Sequence, residues 1–280
     1  MREKEIKIIA SDLDGTLLTS DKKISPETRR ALDRAAEAGI ELVPATGRFF
    51  EAMPDEVRAL PFLHYAITIN GAQVIDVRRR VTISGIDLRC DTALGVMRYL
   101  DSLPVIYDAV MDDWGYMTKS HYDLLSAFTV DELQLALQRK FRRPVDDLKE
   151  FVSGRGRGLR KIVVFMKDRA LRASLLSELP KLFPGTSVSS SYYNNIEIND
   201  EHANKGEALK NLAGYLGVDM SQTMAFGDGL NDAGMLKAAG VGVAMGNACD
   251  EAREAADFVT LTCDEGGIAA AIEKFCFGGE

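Results

Sequence analysis

Residues 8–18, IIASDLDGTLL, carry an apolar run straight into two carboxylates, Asp12 and Asp14, and then into Gly15. An apolar run that stops at turn residues reads as a buried strand, placed over residues 6–10. The next segment, ISPETRRALDRAAEAGI, supplies Ser25 as N-cap, Pro26 at the first helical position and Gly39 as stop, so a helix follows the strand. Outward from there the pattern repeats. IELVPATGR reads as a strand, FFEAMPDEVRAL as a helix, and YAITING as a third strand closed by the turn residues Asn70 and Gly71. Strands alternating with helices imply an α/β fold on a Rossmann-like parallel sheet.

The rhythm changes after about residue 80. RRRVTISG is strand-like, DTALGVMRYLDSL helical, PVIYDAVMDDWGYMTKS strand and turn, and VDELQLALQRKF helical. LRKIVVFMK, the helix RALRASLLSELPKLF and the strand-like SVSSSYYNNIEIND close the segment. Residues 85–190 are therefore expected to form an inserted α+β cap, with residues 1–84 and 191–280 as one discontinuous core. From ANKGEALKNLAGYLG onward strands return at TMAFGD and VGVAMG, with LNDAGMLKAAG as the helix between them.

Composition narrows the class of function. The 280 residues are 46% hydrophobic, enough for a packed core. With 34 basic and 42 acidic residues, the formal charge of -8 argues against a nucleic-acid partner or a polybasic membrane role. Cys90, Cys249, Cys263 and Cys276 form no C-x-x-C pair, and His64, His121 and His202 stand apart, so neither a zinc site nor a disulfide framework is expected. No signal-peptide core or long uncharged apolar window is present, and a reduced, cytoplasmic protein with no membrane partner is the expectation. The oligomeric state is not legible.

In a parallel α/β sheet ligands bind beyond the carboxyl ends of the strands, where Asp12, Thr46 and Asp228 all fall. Asp12 and Asp14, two apart in extended chain, leave the backbone on the same side. Two like charges so placed need a cation or a shared proton, so one can attack beside a hard divalent ion while the other, its ionisation opposed by its neighbour, holds a proton. ATGR offers the Thr46 hydroxyl and, at Gly47, backbone N–H groups for an anionic oxygen, with Arg48 as added charge or as a solvated residue at a helix start. Lys205 in NKGEAL opposes the macrodipole at a helix N-terminus, a placement that a bound anion would explain. GDGLND puts Asp228, Asn231 and Asp232 around a helix start, where acids are common caps. Together with Asp12 these oxygens suit Mg2+. No G-x-x-x-x-G-K-[ST], G-x-G-x-x-G or G-x-S-x-G motif occurs.

DLDGT (12–16), ATGR (45–48), NKGEAL (204–209) and GDGLND (227–232) resemble, in that order, the haloacid dehalogenase superfamily, and the tail GVGVAMGNACDEAREAADFVTLTCDEGGIAAAIEKF is similar to its Cof-type sugar-phosphatase branch. The resemblance implies a phosphoric monoester hydrolase with a large cap inserted between the second and third motifs. It implies Asp12 as the nucleophile that forms an aspartyl-phosphate and Asp14 as the acid that protonates the leaving alcohol and then activates water. Thr46, Gly47, Lys205 and Asn231 would hold the phosphoryl oxygens. Mg2+ would be bound by Asp12, Asp228 and the main-chain carbonyl of Asp14, with Asn231 and Asp232 completing the loop and orienting Lys205. Two positions depart from the family pattern: Pro44 ahead of ATGR, where a ladder donor is lost, and Gly229 within GDGLND, where many relatives carry Asn.

The expected substrate is a small phosphorylated metabolite, a sugar phosphate or a phosphorylated cofactor, selected by the cap at residues 85–190 and by the NGA turn at 70–72. Arg155, Arg157, Arg160 and Lys161 could attract a second anionic group or form a solvated loop. Trp114, Tyr116, Tyr192 and Tyr193 could stack on a sugar or serve the core. A phosphomutase or phosphoryl transfer to a sugar through the same intermediate, or a metabolite-binding regulator on this scaffold, are the alternative functions.

Overall fold

The computed structural model describes residues 5–129, 131–190 and 192–279. Its strands are β1 Ile8–Ser11, β2 Glu41–Pro44, β3 Tyr65–Thr68, β4 Gln73–Asp76, β5 Val81–Gly85, β6 Ile106–Met111, β7 Trp114–Thr118, β8 Arg142–Val145, β9 Lys161–Phe165, β10 Thr186–Ser189, β11 Asn195–Asp200, β12 Thr223–Gly227, β13 Val241–Ala244 and β14 Phe258–Val259. The chain divides into two compact units. One comprises residues 1–48, 53–85 and 204–280, and the other residues 49–52 and 86–203.

The first unit is built on a five-stranded parallel sheet of order β14-β13-β12-β1-β2, so the first and last thirds of the chain share one sheet. β1 is buried along its whole length because, inside a parallel sheet, both of its faces are covered. On one side Ile8, Ala10, Val43 and Ala225 pack with Leu209, Leu212, Met235 and Leu236. Each such side chain contributes roughly 1.5–3 kcal/mol by leaving water. Ser11 lies in register with Phe226 and with Pro44, so the chain leaves β1, β12 and β2 at one edge of the sheet. That shared edge puts the three motif loops together.

Two expectations for the first third of the chain need correction. FFEAMPDEVRAL is not one helix: a 3-10 turn at Phe50–Ala52 precedes a short helix at Asp55–Arg58. Pro54 between them lacks an N–H and disfavours helical geometry at Met53. The third strand does not extend the parallel sheet as a regular neighbour. β3 instead pairs antiparallel with β4, and β4 with β5, leaving only a bridge from Ile67 to Ala45. Pro44 ends β2 at the rim of the five-stranded sheet, where a missing N–H removes little, and the following Ala45 N–H still reaches Ser11 O.

The second unit carries a six-stranded sheet of order β10-β11-β9-β6-β7-β8. One face, with Tyr107, Ala109, Ile162, Val164, Ile196 and Ile198, packs on apolar residues of helices Cys90–Leu100, Leu148–Gly154 and Arg169–Leu182. Helices Lys119–Phe128 and Leu148–Gly154 had no sequence expectation. The expected boundary at residue 190 falls inside this sheet: SVSSSYYNNIEIND holds two strands, β10 and β11, that pair with each other, and β11 also pairs with β9. The unit therefore runs to Ala203. Among the described residues no helix is long and apolar enough to cross a membrane.

Candidate active site

Asp12 leaves the end of β1 with its N–H held by Phe226 O of the neighbouring strand. Its carboxylate meets Lys205, the first residue of helix Lys205–Leu216, whose N-cap is Asn204. Lys205 Nζ donates to Asp12 Oδ1 and to Asp232 Oδ1, both at 2.6 Å, and its side chain is fully buried. Burial disfavours the ammonium, but the two carboxylates outweigh it and hold the lysine well above its usual range. A buried cation at a helix N-terminus is thus explained by the anions beside it.

Asp232 has both oxygens engaged. Oδ2 accepts the N–H groups of Asp228 at 3.0 Å and Gly229 at 2.9 Å, closing the loop that follows β12. Asp228 in turn accepts the Thr16 hydroxyl on Oδ1 at 2.6 Å. Gly15 is required opposite it: its φ is +87°, and a Cβ would lie 2.5 Å from Asp228 Oδ2. At Gly229 an added Cβ would meet Asn231 Oδ1 at 2.8 Å, so the departure at this position leaves the loop room to close.

Oxygens of Asp12, Asp228 and Asp232 lie within 4.8 Å of one another. Three carboxylates share a single ammonium, and burial pushes Asp12 up to about 7 and Asp228 up to about 6. The donor set is hard, all oxygen, and short of positive charge. Those properties fit a divalent cation such as Mg2+, with Asp12 and Asp228 as carboxylate ligands and Asp232 committed to Lys205 and the loop.

Asp14 behaves differently from its expectation. Its neighbour Asp12 does not keep it protonated. Burial would raise it, but Arg48 donates to both of its oxygens at 2.9 and 3.1 Å and Lys22 adds a contact at 3.0 Å, holding it below the usual carboxylate range. Of the opening pair it is Asp12 that rises. Arg48 is therefore partnered with Asp14 and is no merely solvated helix start.

Thr46 is buried at the end of β2, with its N–H on Ile67 O and its hydroxyl accepting the Arg48 N–H at 3.2 Å; Gly47 lies between them. Asn231 donates to Asn70 Oδ1 at 3.2 Å. The structure thus gathers Asp12, Lys205, Asp228 and Asp232 into one cluster, with Asp14 on Arg48 and Lys22, and Asn231 on Asn70. Sequence reading passed over Thr16 and Lys22, and met Asn70 only as a turn residue beside the cap's expected share in specificity. Thr16 closes the quoted DLDGT, so its position was available; Lys22 lies in a polar turn with no local signal.

In the second unit the basic residues singled out earlier all have acidic partners. Arg155 and Arg157 pair with Asp112, Arg160 with Asp87 at 2.9 Å, and Lys161 with Glu197 at 3.1 Å. Trp114 lies under the Arg143 guanidinium at 3.7 Å, Tyr116 packs in the core against Phe151, and Tyr192 and Tyr193 lie against each other.

A family model described as haloacid dehalogenase-like hydrolase matches residues 9–272. The chain belongs to that family. This hydrolase is 32% identical, over 97% of its own length and 96% of the relative's, to 5-amino-6-(5-phospho-D-ribitylamino)uracil phosphatase YcsE of Bacillus subtilis. It is 33% identical to phosphatase YwpJ of the same organism, covering 94% of this chain and 98% of that one. A solved haloacid dehalogenase-like hydrolase from B. subtilis superposes with a TM-score of 0.80 at 30% identity, covering 96% and 99% of the two chains. The expected enzyme class, a phosphatase of the Cof-type branch, and the expected α/β fold both stand.

Proposed function

We propose that this hydrolase is a Mg2+-dependent phosphatase of small phosphorylated metabolites and works through an aspartyl-phosphate on Asp12. The reading is carried by one observation: Asp12 is a buried carboxylate fixed on one oxygen by Lys205, at the centre of a cluster short of positive charge. An oxygen of Asp12 attacks phosphorus while the ester P–O bond breaks and the leaving alkoxide takes a proton from Asp14. Water then attacks the phosphorus of the acyl phosphate, gives its proton to Asp14, and releases phosphate and the Asp12 carboxylate. Thr46, the Gly47 backbone, Lys205 and Asn231 hold the phosphoryl oxygens, where charge develops. Mg2+, held by Asp12, Asp228 and the main-chain carbonyl of Asp14, would offset the negative charge of the phosphoryl group.

The Arg48 and Lys22 contacts favour the ionised form of Asp14, the form that receives a proton in the second step. For the first step Asp14 must carry a proton, so its hold on Arg48 has to loosen with substrate in place. Residues 86–203, taken as a cap, select the organic part of the substrate. Because Arg155, Arg157, Arg160 and Lys161 already face carboxylates, a monophosphate ester suits this chain better than a substrate with a second phosphate. The YcsE relative, named for a phosphorylated ribityl compound, points to the same class. The four cysteines are free thiols, in keeping with a reduced, cytoplasmic setting.

The test is Mg2+-dependent phosphate release from a panel of sugar phosphates, nucleotides and phosphorylated cofactors, with Asp12→Asn as the blank. Selective release lost in the variant is expected. Turnover that persists in the variant once contaminants are excluded would remove Asp12 as nucleophile, and label from isotopic water missing from the released phosphate would favour transfer to another acceptor.

A further inference from the structure

The turn between β3 and β4 is the most constrained piece of backbone near the site. Ile69, Asn70 and Gly71 have φ of 55°, 58° and 93° in succession. A left-handed β-branched residue is an outlier, and Ile69 is also fully buried. Strain of this kind persists only where the surroundings over-determine it. They do so on three sides. The N–H of Ile69 donates to Arg48 O at 2.9 Å and the N–H of Asn70 to Thr46 O at 3.0 Å, so the turn holds the first and last carbonyls of the Thr46–Arg48 loop. A Cβ on Gly71 would lie 2.3 Å from the Asn204 carbonyl group, so the turn sits directly against the start of the helix that presents Lys205. Asn70 Oδ1 accepts from Asn231 Nδ2.

Asn70 therefore touches two motifs far apart in sequence: Thr46 through its main chain and Asn231 through its side chain. We propose that Asn70 is a positioning residue, whose buried amide fixes the Asn231 side chain against the Thr46 loop so that both address one anionic group. Asparagine suits both duties, since it tolerates the left-handed backbone and carries an acceptor. The inference rests on the phosphatase reading for the identity of the anion as a phosphoryl group. It adds a residue outside the motifs that carry that reading.

The experiment compares wild type, Asn70→Gly, Asn70→Ala, Asn231→Ala and the Asn70→Gly/Asn231→Ala double variant. Binding of inorganic phosphate in the presence of Mg2+ is measured by calorimetry, and turnover of p-nitrophenyl phosphate by steady-state kinetics. Asn70→Gly keeps the left-handed backbone and the N–H to Thr46 and deletes only the amide. It should melt close to wild type, bind phosphate about tenfold more weakly and lose roughly 10- to 100-fold in kcat, the scale of a small misplacement. Asn70→Ala, which adds backbone strain, should melt lower yet show the same binding loss as the glycine variant. The double variant should lose little more than Asn231→Ala alone, the non-additivity expected of residues acting as a unit.

Wild-type phosphate binding and kcat in Asn70→Gly, strictly additive losses in the double variant, or a defect that follows melting temperature across the series would each overturn the assignment. Wild type that releases no phosphate from any ester, but whose phosphate binding weakens in Asn70→Gly, would sink the phosphatase reading and leave the positioning role standing.

Discussion

The two units place their buried charges in opposite ways. In the first, Asp12, Asp228 and Lys205 stand where parallel strands or a helix end, and their charges do not cancel: three carboxylates face one lysine. In the second, charges belong to the strands themselves, Asp108 and Glu197 inside them and Arg142 and Lys161 at their first positions, on the sheet face opposite the apolar one. Asp108 of β6 pairs with Arg142 of β8 at 2.5 Å, reaching past Gly115 of β7, and Lys161 of β9 pairs with Glu197 of β11. These cancel locally. An uncompensated cluster at strand ends is built to receive a counter-charge, whereas a balanced pair within a sheet serves the fold. Substitutions should therefore separate chemistry from stability in the first unit and not in the second.

The largest separation belongs to Asp12→Asn. Phosphate release should drop by at least about 10^4-fold, the scale of losing a nucleophile, while melting temperature holds or rises because a buried, poorly ionised carboxylate becomes neutral. A coincident collapse in thermal unfolding would erase the contrast between the units. Asp14→Asn comes next and sharpens the role assigned within the first unit. With an alkyl phosphate, whose leaving group needs a proton, the loss should be about 10^3-fold. With p-nitrophenyl phosphate, whose leaving group needs far less help, it should be clearly smaller. Equal losses in parallel assays with the two esters would take the acid role from Asp14.

Arg142→Ala addresses the other side of the comparison. It leaves Asp108 buried with one charge unanswered, and Asp108 Oδ1 already has no hydrogen-bond partner. The expected cost is about 3 kcal/mol in urea unfolding, with a much smaller loss when Asp108→Leu accompanies Arg142→Met. An unchanged urea midpoint would show that the pair does not serve the fold.

The same contrast explains what could be read from the sequence. Asp12, Asp228 and Lys205 were legible because each closes a periodic segment with a residue type that local structure alone does not demand. Their convergence followed from strand order in a parallel sheet. The row Asp108, Arg142, Lys161 and Glu197 was not legible as a unit, because only pairing between distant segments brings the four together. The misplaced boundary at residue 190 has a related cause. SVSSSYYNNIEIND reads as one strand-like stretch, yet Thr186–Ser189 and Asn195–Asp200 are two strands that pair with each other. The partners of Asp14 were not legible because Arg48 is a sequence neighbour of Thr46, not of Asp14, and Lys22 reaches it from a turn.

The smallest effect sets the uncompensated cluster against pH. Asp12 and Asp228 are raised to about 7 and about 6, so without a divalent ion their contribution to stability is complete below the unfolded carboxylate pKa and is lost as pH climbs through these values. Asp14, held low by Arg48, has the opposite sign, and its contribution is lost as pH falls from the unfolded carboxylate pKa through its depressed folded value, outside that window. With a chelator, the first unit should therefore melt a few degrees lower at about pH 8 than these groups allow at about pH 5, and added Mg2+ should restore the difference, since cation and proton compete for the same oxygens. The Mg2+-induced rise in melting temperature should grow across that interval and shrink in Asp12→Asn. A rise of the same size at both ends would mean that the cation binds where no titrating carboxylate takes part, and the cluster of Asp12 and Asp228 would lose its claim to the metal.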